Sequence, residues 1–206
     1  VPITAGGART GLSGGALAIQ GGLVLSLRRM NNILLIDEIN HQVIVEPGVI
    51  TEVLQNAVSE KGLFYAVDPA SSGTCTIGGN IAENSGGPRA VKYGVTKDWV
   101  LNLEVVLADG RVIETGANTL KNSTGYNLTG LIVGSEGTLG IVTRATLKLQ
   151  PLPRFHALML VPFKSVTNAC KTVSEIFIAG EMPSALEFME RDAMVLAQEF
   201  TGNNDL

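Results

Sequence analysis

The chain has 206 residues, of which 45% are hydrophobic and 17% are charged, with a formal net charge of −4. This composition is typical of a globular protein with a substantial core and excludes an intrinsically disordered chain. The lack of a basic surplus argues against nucleic acid as a partner, and no apolar run reaches the length of a membrane span. The two cysteines, Cys75 and Cys170, lie far apart, which predicts a reducing compartment and no disulfide framework.

The predicted elements begin with short strands. Apolar or alternating runs predict strands at Val1–Thr4, Leu23–Leu27, Ile33–Asp37 and Gln42–Glu46. Asn40–His41 is predicted to form the turn between the last two of these strands. A helix is predicted over residues 51–61, because Thr51 is a favoured N-cap residue, an apolar stripe follows it, and Gly62 is a favoured stop.

The middle of the chain mixes irregular and regular segments. Residues 68–88 form a long irregular stretch with room for one short helix after Thr76. Asp109-Gly110 is a strong hairpin signal between strands predicted at 101–107 and 111–114. A short helix is predicted over 128–133 and an alternating strand over 141–149.

Pro151 and Pro153 interrupt this pattern. Beyond them the sequence predicts a strand, a helix, a strand and a helix, at 157–161, 165–178, 185–189 and 193–200. Cys170 lies on the apolar face of the first of these helices, so we expect it in a core. The chain is therefore expected to hold one domain over residues 1–150 and the start of a second α+β domain over residues 151–206.

Glycine is the most informative residue type in this chain. The 24 glycines cluster at 6–22, 73–87 and 125–140. Glycine costs stability in helices and strands, so such clusters mark places where backbone turns sharply or approaches something closely. Three clusters in one domain indicate a single extended ligand lying against bare backbone, whereas any one of them alone is typical of a tight turn.

The first cluster, residues 5–15 (AGGARTGLSGG), fits a phosphate. Successive small residues can direct several backbone N–H groups into one concavity, and each hydrogen bond to a charged group contributes about 1.5–3 kcal/mol. Several such bonds could hold a pyrophosphate without a lysine, with Thr10 and Ser13 as hydroxyl donors and Arg9 as a charge. The cluster lacks the Gly-Lys-Ser/Thr of a Walker A loop and the G-x-G-x-x-G spacing of a Rossmann unit.

The second cluster, residues 68–87 (DPASSGTCTIGGNIAENSGG), is polar but nearly uncharged. Its Ser, Thr and Asn side chains suit the pyrimidine edge of a flavin ring, and Gly78-Gly79 would let backbone lie against the ring face. The alternative is a surface loop with internal hydrogen bonds, which would carry more charge than this stretch does. The third cluster, residues 134–142 (GSEGTLGIV), is by itself typical of a loop entering a strand, although Glu136 and Thr138 could contact a ligand.

Taken in this order, the three clusters resemble the FAD-binding domain of the vanillyl-alcohol-oxidase (PCMH-type) flavoprotein family. Supporting runs are 92–98 (KYGVTKD), 103–110 (LEVVLADG) and 124–131 (TGYNLTGL). They are similar to the branch that contains the FAD-linked catalytic subunit of bacterial glycolate oxidase and the D-lactate dehydrogenases. The resemblance covers nearly all of residues 1–150. It implies an α+β fold in which a PCMH-type domain of two packed α+β subdomains precedes the beginning of an α+β substrate (cap) domain.

The resemblance implies a non-covalent FAD, because the histidine through which some relatives attach the flavin is missing from the first cluster. It places the pyrophosphate on Gly7, Ala8, Arg9, Thr10 and Gly11. It implies that the flavin and diphosphate are lined by Pro69, Ser72, Thr74, Gly78, Gly79, Asn84 and Ser85. It implies flavin or adenosine contacts from Glu136, Gly137, Thr138, Gly140, Ile141 and Val142.

The resemblance also implies an activity, the oxidation of a small D-2-hydroxy acid such as glycolate or D-lactate to the 2-oxo acid by hydride transfer to flavin N5. In that branch, histidines and an acidic residue of the substrate domain bind a metal and handle the substrate hydroxyl. The present sequence has only His41 and His156, both typical of ordinary surface positions. We therefore assign no catalytic residue and no metal ligand to it, and expect any divalent metal in a C-terminal part beyond it.

Alternatives stay open for the whole protein. Val1–Thr4 has no initiator methionine and no signal-peptide core, and the family's first strand–helix unit is missing, so we expect a piece truncated at both ends and inactive alone. The same fold could serve 2-hydroxyglutarate, an alkyl-glycerone phosphate or an aldonolactone, or a non-catalytic partner subunit. The expected location is the cytoplasm, with attachment to the inner membrane only through partner subunits, and the electron acceptor is unspecified.

Overall fold

The computed structural model describes residues 1–202. Chain contacts divide it into one compact unit, Val1–Arg154, and a second that begins at Phe155. The strands are β1 (Ile3–Gly6), β2 (Leu23–Ser26), β3 (Ile33–Asp37), β4 (Gln42–Val45), β5 (Leu63–Phe64), β6 (Val100–Val106), β7 (Val112–Glu114), β8 (Ile141–Lys148) and β9 (Gln150–Pro151). The helices are α1 (Thr51–Ser59), α2 (Ile77–Glu83), α3 (Ala90–Tyr93), α4 (Leu128–Ile132), α5 (Val166–Ile178) and α6 (Arg191–Thr201), with a 3-10 turn at Thr96–Asp98.

An antiparallel five-stranded sheet organises the first unit, in the order β3-β4-β8-β6-β7. β3 and β4 form a hairpin whose turn holds His41 at a φ of 52°, as the sequence predicts. β6 and β7 form the predicted second hairpin, with Gly110 of its turn at a φ of 85°. β8 joins the two hairpins, so that a strand late in the sequence completes a sheet begun by β3.

One continuous core joins the sheet to α1 and α2. Leu54 and Val58 of α1, and Ile77 and Ile81 of α2, are at most 1% exposed and belong to the same apolar cluster as the inner faces of β4, β6 and β8. Burying such a side chain contributes about 1.5–3 kcal/mol. Helix α2, which carries the middle of the second glycine cluster, is therefore held firmly by its apolar face.

Thr51 does not cap α1, contrary to the prediction. The cap position is Ile50, and Thr51 is fully buried within the helix. Its hydroxyl lies 3.2 Å from Cys75 Sγ and accepts a hydrogen bond of 2.6 Å from Asn80 Nδ2. These partners lie 24 and 29 residues away in sequence, and a buried tertiary network outweighs the local preference for the cap position.

A separate parallel pair, β1 and β2, carries the first glycine cluster. Ile3 lies opposite Leu23 and Gly6 opposite Ser26, so residues 7–22 form the connection between the two strands. Parallel strands need a long crossover, which is usually a helix. Here the crossover is the glycine-rich loop itself, which keeps its backbone N–H groups out of a helical ladder.

The second unit contains α5 and α6 and no strand among its described residues. The strands predicted at 157–161 and 185–189 are therefore wrong, since neither segment finds a partner strand and an isolated strand is not stable. Cys170 is exposed, so its expected place in a core is also wrong, and no residue from Phe155 to Gly202 is buried. No helix within residues 1–202 is long and apolar enough to cross a bilayer.

Candidate functional site

The three glycine clusters meet around one cavity of about 800 Å³ in the first unit. Small-molecule and cofactor sites typically enclose about 300–1,000 Å³. The sequence-predicted residues that line it are Gly7, Ala8, Arg9, Thr10, Gly11, Pro69, Gly78, Gly79, Asn84, Ser85, Glu136 and Gly137. The structure thus brings part of each cluster to one site.

The first wall is the loop from Gly7 to Gly14, whose backbone N–H groups are its main polar feature. No N–H group in this segment donates to an acceptor among the described residues. A glycine-rich loop that lines a cavity with unused backbone donors has the chemistry that an anion requires. The sequence-predicted phosphate loop is therefore chemically competent for a diphosphate.

The second wall is α2, and its N–H groups are already in use. Thr76 caps the helix by accepting from the Gly79 N–H at 3.4 Å, and the Ile77 and Gly78 N–H groups donate to the carbonyls of Val49 and Pro47 at 2.9 and 2.8 Å. The helix start is thus unavailable to an anion. What α2 offers the cavity is a backbone surface without a side chain at Gly79.

These two glycines serve different purposes. A Cβ atom on Gly78 would lie 2.6 Å from Pro47 Cβ, so this glycine is needed for close packing inside the protein. A Cβ atom on Gly79 would meet only the Thr76 hydroxyl, at 3.4 Å. Gly79 therefore leaves space in the cavity that the protein itself does not fill.

The third wall, the Gly134–Gly137 turn, is attached to α2 through the backbone. The Gly134 N–H donates to the Ile81 carbonyl at 2.9 Å and the Glu136 N–H to the Ala82 carbonyl at 3.0 Å. These carbonyls lie in the last turn of α2, where helical partners are missing. The third cluster therefore supplies hydrogen-bond donors to the carbonyl groups at the C-terminal end of α2.

Backbone strain is concentrated at this cavity. The non-glycine residues with positive φ among those described are Arg9 (61°), His41 (52°), Asn84 (51°) and Glu136 (51°), and all except His41 line the cavity. Asparagine tolerates this conformation, whereas arginine and glutamate adopt it at a cost of about 1–2 kcal/mol each. Strain of this kind clusters at ligand sites, where surrounding structure holds it in place.

The charged residues of the lining are Arg9, Glu83 and Glu136. The Ser13 hydroxyl lies 3.0 Å from Glu83 Oε1 and 3.1 Å from Glu136 Oε2. A diphosphate at this site would be neutralised by backbone dipoles and Arg9 rather than by a cluster of cations. No group of three metal-binding side chains occurs within residues 1–202.

Beneath the cavity lies a buried polar group of side chains. Cys75 and Asn80, which line the cavity, are 4% and 1% exposed, and both contact the Thr51 hydroxyl. Burial raises the pKa of the nearby Tyr65 phenol well above its usual value, and its electrostatic interaction with Cys75 raises it further. Tyr65 therefore stays a neutral phenol in the folded chain.

Six predicted site residues lie outside this cavity: Ser72, Thr74, Thr138, Gly140, Ile141 and Val142. The Ser72 carbonyl accepts from the Glu52 N–H at the start of α1, and the Thr74 and Thr138 hydroxyls donate to Ser71 and Ser135 carbonyls. A Cβ atom on Gly140 would lie 2.6 Å from Val105 Cγ1, and Ile141 and Val142 begin β8. Their backbone or hydroxyl groups are used by the protein itself.

The lining also contains residues that the sequence reasoning did not assign, including Pro47, Cys75, Asn80, Ala82 and Glu83. The sequence could have indicated Ala82 and Glu83 as lining residues. Each lies four positions after a predicted lining residue, Gly78 or Gly79, and residues four apart share one face of a helix. Pro47 carried no such signal, since it enters only through the packing of the β4–α1 turn against Gly78.

Comparisons with known proteins identify the family of the chain. The family model described as an FAD binding domain matches residues 1–116, and the model described as the C-terminal domain of FAD linked oxidases matches residues 152–205. The chain belongs to the FAD-linked oxidase family. The resemblance to PCMH-type flavoproteins is thereby confirmed, as is FAD as the cofactor of this domain.

Named relatives span several substrates. The chain is 50% identical over 200 residues to the glycolate oxidase subunit GlcD of Bacillus subtilis, covering 97% of the chain and 43% of that protein. It is 43% identical over 202 residues to a D-lactate dehydrogenase of Archaeoglobus fulgidus (98% and 45%) and 43% identical over 190 residues to a D-2-hydroxyglutarate dehydrogenase of Xanthomonas citri (92% and 39%). The chain therefore spans less than half the length of these relatives.

A solved structure confirms the α+β fold. An alkyldihydroxyacetonephosphate synthase superimposes with a TM-score of 0.76 at 25% sequence identity, covering 89% of this chain and 33% of that one. The family and the fold are thus shared by enzymes with different named substrates.

Proposed function

We propose that the first unit holds FAD in the cavity formed by the three glycine clusters. The observation that carries this proposal is the run of N–H groups from Gly7 to Gly14 that find no acceptor among residues 1–202, in the same cavity lining as the bare backbone of Gly79. In this arrangement the loop binds the diphosphate, and α2 with Asn84 and Ser85 lies against the flavin side of the cofactor. Gly137 and the strained Glu136 line the remaining side.

The flavin is held without a covalent bond in this proposal. The cavity lining contains no histidine, and its cysteine, Cys75, is 4% exposed with its sulfur 3.2 Å from the Thr51 hydroxyl. Precipitating the loaded protein with acid tests this point directly. Flavin released into the supernatant supports a non-covalent cofactor, and flavin retained in the pellet contradicts it.

The whole protein, in this proposal, is an oxidoreductase that converts a small D-2-hydroxy acid such as glycolate or D-lactate to the 2-oxo acid. Bound FAD supplies the hydride acceptor. The residues of this chain bind and orient the cofactor. They supply no histidine as a base, because neither His41, in the β3–β4 turn, nor the exposed His156 lines the cavity. The base that takes the hydroxyl proton, and any divalent metal, are expected from the remaining part of the protein.

The proposal for the whole protein includes partner subunits. One relative is named as a subunit of glycolate oxidase, so we expect partner subunits for the whole protein and, through them, an electron acceptor. The cytoplasm, or the inner membrane surface reached through such subunits, remains the proposed location.

The decisive experiment for the cofactor compares FAD, FMN and riboflavin. Titrations of the 206-residue chain, followed by flavin fluorescence, measure the three affinities. Because the free donors face a diphosphate, FAD is expected to bind at least about tenfold more tightly than riboflavin, from one or more charge-assisted hydrogen bonds of about 1.5–3 kcal/mol. Equal affinity for FAD and riboflavin would show that the loop does not recognise phosphate.

Substrate class is tested on the whole protein. Anaerobic addition of glycolate, D-lactate or D-2-hydroxyglutarate should bleach the visible absorption of the bound flavin for the true substrate. Reduction by none of them, with FAD bound, would retain the cofactor proposal and overturn the hydroxy-acid assignment. A protein that binds no FAD would instead favour the non-catalytic subunit.

A further inference from the structure

The phosphate loop is attached to the other two walls in an unusual way. Residues 7–13 neither donate nor accept a backbone–backbone hydrogen bond among the described residues. By contrast, α2 is fixed by buried Ile77 and Ile81, and the Gly134–Glu136 turn is fixed by two backbone bonds to α2. The hydrogen bonds that attach the loop to the other walls therefore come from side chains.

Ser13 makes two of these side-chain contacts. Its hydroxyl lies within hydrogen-bond distance of Glu83, on α2, and of Glu136, in the third cluster, so it reaches both other walls at once. The remaining side-chain bond from the loop joins Thr10 to Ser71 at a long 3.5 Å. Because a hydroxyl carries one proton, Ser13 donates to one carboxylate at a time and can exchange between them.

The glycines that flank Ser13 fit this arrangement. A Cβ atom on Gly11 would lie 2.5 Å from Glu83 Oε1, and one on Gly15 would lie 2.5 Å from Glu136 Oε2. Each carboxylate thus rests against a glycine on its own side of Ser13. A side chain at either glycine would push a carboxylate away from the serine.

We propose that Ser13 is a positioning residue that latches the phosphate loop to Glu83 and Glu136, and so controls how readily the loop opens for the cofactor. The effect on cofactor release rests on the proposed function, whereas the latch itself exists in the cofactor-free chain. Neither carboxylate forms an ion pair with a cation among residues 1–202, so the serine is the polar side chain that engages both.

Trypsin offers a direct readout of loop opening. Arg9 lies in the loop and is the only lysine or arginine before Arg28, so cleavage after Arg9 is identified by the loss of the first nine residues. Proteolysis tracks the population of the open form when opening is fast relative to cleavage. Losing one hydrogen bond of about 0.5–1.5 kcal/mol raises that population about twofold to tenfold.

The experiment compares wild type with Ser13→Ala, Ser13→Thr and the control Ser123→Ala, an exposed serine outside the cavity lining. We expect Ser13→Ala to speed cleavage after Arg9 by about twofold to tenfold, with a Tm lower by about 1–6 °C for the same lost bond. Ser13→Thr, which keeps the hydroxyl, and the control should cleave at the wild-type rate. Wild-type cleavage of Ser13→Ala, or equally fast cleavage of Ser13→Thr, would overturn the latch.

A second arm adds FAD. FAD should protect Arg9 in the wild type, and Ser13→Ala should release FAD faster in a stopped-flow displacement experiment. Absence of protection in the wild type contradicts the proposed function, while the cofactor-free comparison still decides the latch. Protection together with an unchanged release rate in Ser13→Ala would overturn the latch's role in cofactor retention.

Discussion

The two adjacent glycines of α2 make a matched pair of perturbations. Gly78→Ala would place a methyl group 2.6 Å from Pro47 Cβ and 3.0 Å from the Pro47 carbonyl oxygen. An ordinary carbon–carbon contact lies at about 3.5–4.0 Å, so α2 and the turn before α1 must separate by roughly 1 Å. Both neighbouring atoms belong to the rigid Pro47, and the Gly78 N–H bond to the same carbonyl must lengthen as well.

The size of this effect can be worked out. Overpacking costs about 1–3 kcal/mol, and replacing a helical glycine by alanine returns about 0.5–1 kcal/mol. The net loss for Gly78→Ala is therefore about 0–2.5 kcal/mol, with a central value of about 1.2 kcal/mol. For a protein of this size, each kcal/mol shifts the Tm by about 2–4 °C, so we expect a Tm lower by about 2–5 °C at the central value and by about 10 °C at the upper limit.

Gly79→Ala should behave in the opposite way. Its methyl group meets only the Thr76 hydroxyl at 3.4 Å, so the protein gains helix propensity without a clash and its Tm should stay constant or rise. The methyl group instead occupies the cavity where we place the flavin, and a clash of about 1.4 kcal/mol or more weakens FAD binding at least about tenfold.

Thermal unfolding and FAD titration of both variants provide the assay. The expected pattern is reciprocal: Gly78→Ala loses stability, and Gly79→Ala loses FAD. Wild-type FAD affinity in Gly79→Ala would refute the placement of the flavin against α2. A Tm loss in Gly79→Ala as large as that in Gly78→Ala would refute the steric reasoning itself.

Three further predictions concern other parts of the first unit and the cysteines. Thr76→Ala removes the N-cap hydrogen bond of α2 and should lower the free energy of unfolding by about 0.5–2 kcal/mol. Thr76→Ser keeps the hydroxyl and should retain most of the wild-type stability. Equal losses for the two variants in denaturant titrations would contradict a capping role. The pKa of Asp37 is lowered from 3.8, mainly by the hydrogen bond from the Asn40 side chain. This hydrogen bond therefore stabilises the fold above pH 3.8, and the stabilisation is lost as the pH falls through the lowered pKa. Asn40→Ala should raise the pKa of Asp37 in an NMR titration, and an unchanged pKa would contradict the role of Asn40. Under native conditions a thiol reagent should label exposed Cys170 and not buried Cys75, with both labelled after denaturation; native labelling of Cys75 would contradict its burial.

Local chemistry explains which elements could be predicted. Asp109-Gly110 specifies its own turn, and Thr76 caps the helix that follows it, so the β6–β7 hairpin and α2 follow from short stretches of sequence. β5 and β9 are two-residue strands that pair Leu63 with Pro151, and nothing in either segment indicates a partner so distant. Short elements of this kind depend on tertiary contacts rather than on propensity.

The same distinction applies to the site. Glycine clustering located the walls, because bare backbone leaves a compositional trace. It could not tell Gly79, which leaves the cavity open, from Gly140, whose missing side chain makes room for Val105. Nor could it assign Pro47, which enters the lining only through the packing of the turn before α1 against Gly78. Which atom a glycine accommodates is decided by packing between distant segments.

Amide hydrogen exchange with and without FAD tests the central claim most directly. If FAD lies in the cavity, the N–H groups of residues 7–14 should become strongly protected on binding, because they gain phosphate acceptors that the protein does not provide. Residues 78–86 and 136–137 should gain protection too, while the β6–β7 hairpin, which lies outside the cavity lining, should be unchanged. Saturation with FAD that leaves residues 7–14 as exchangeable as before would contradict the account.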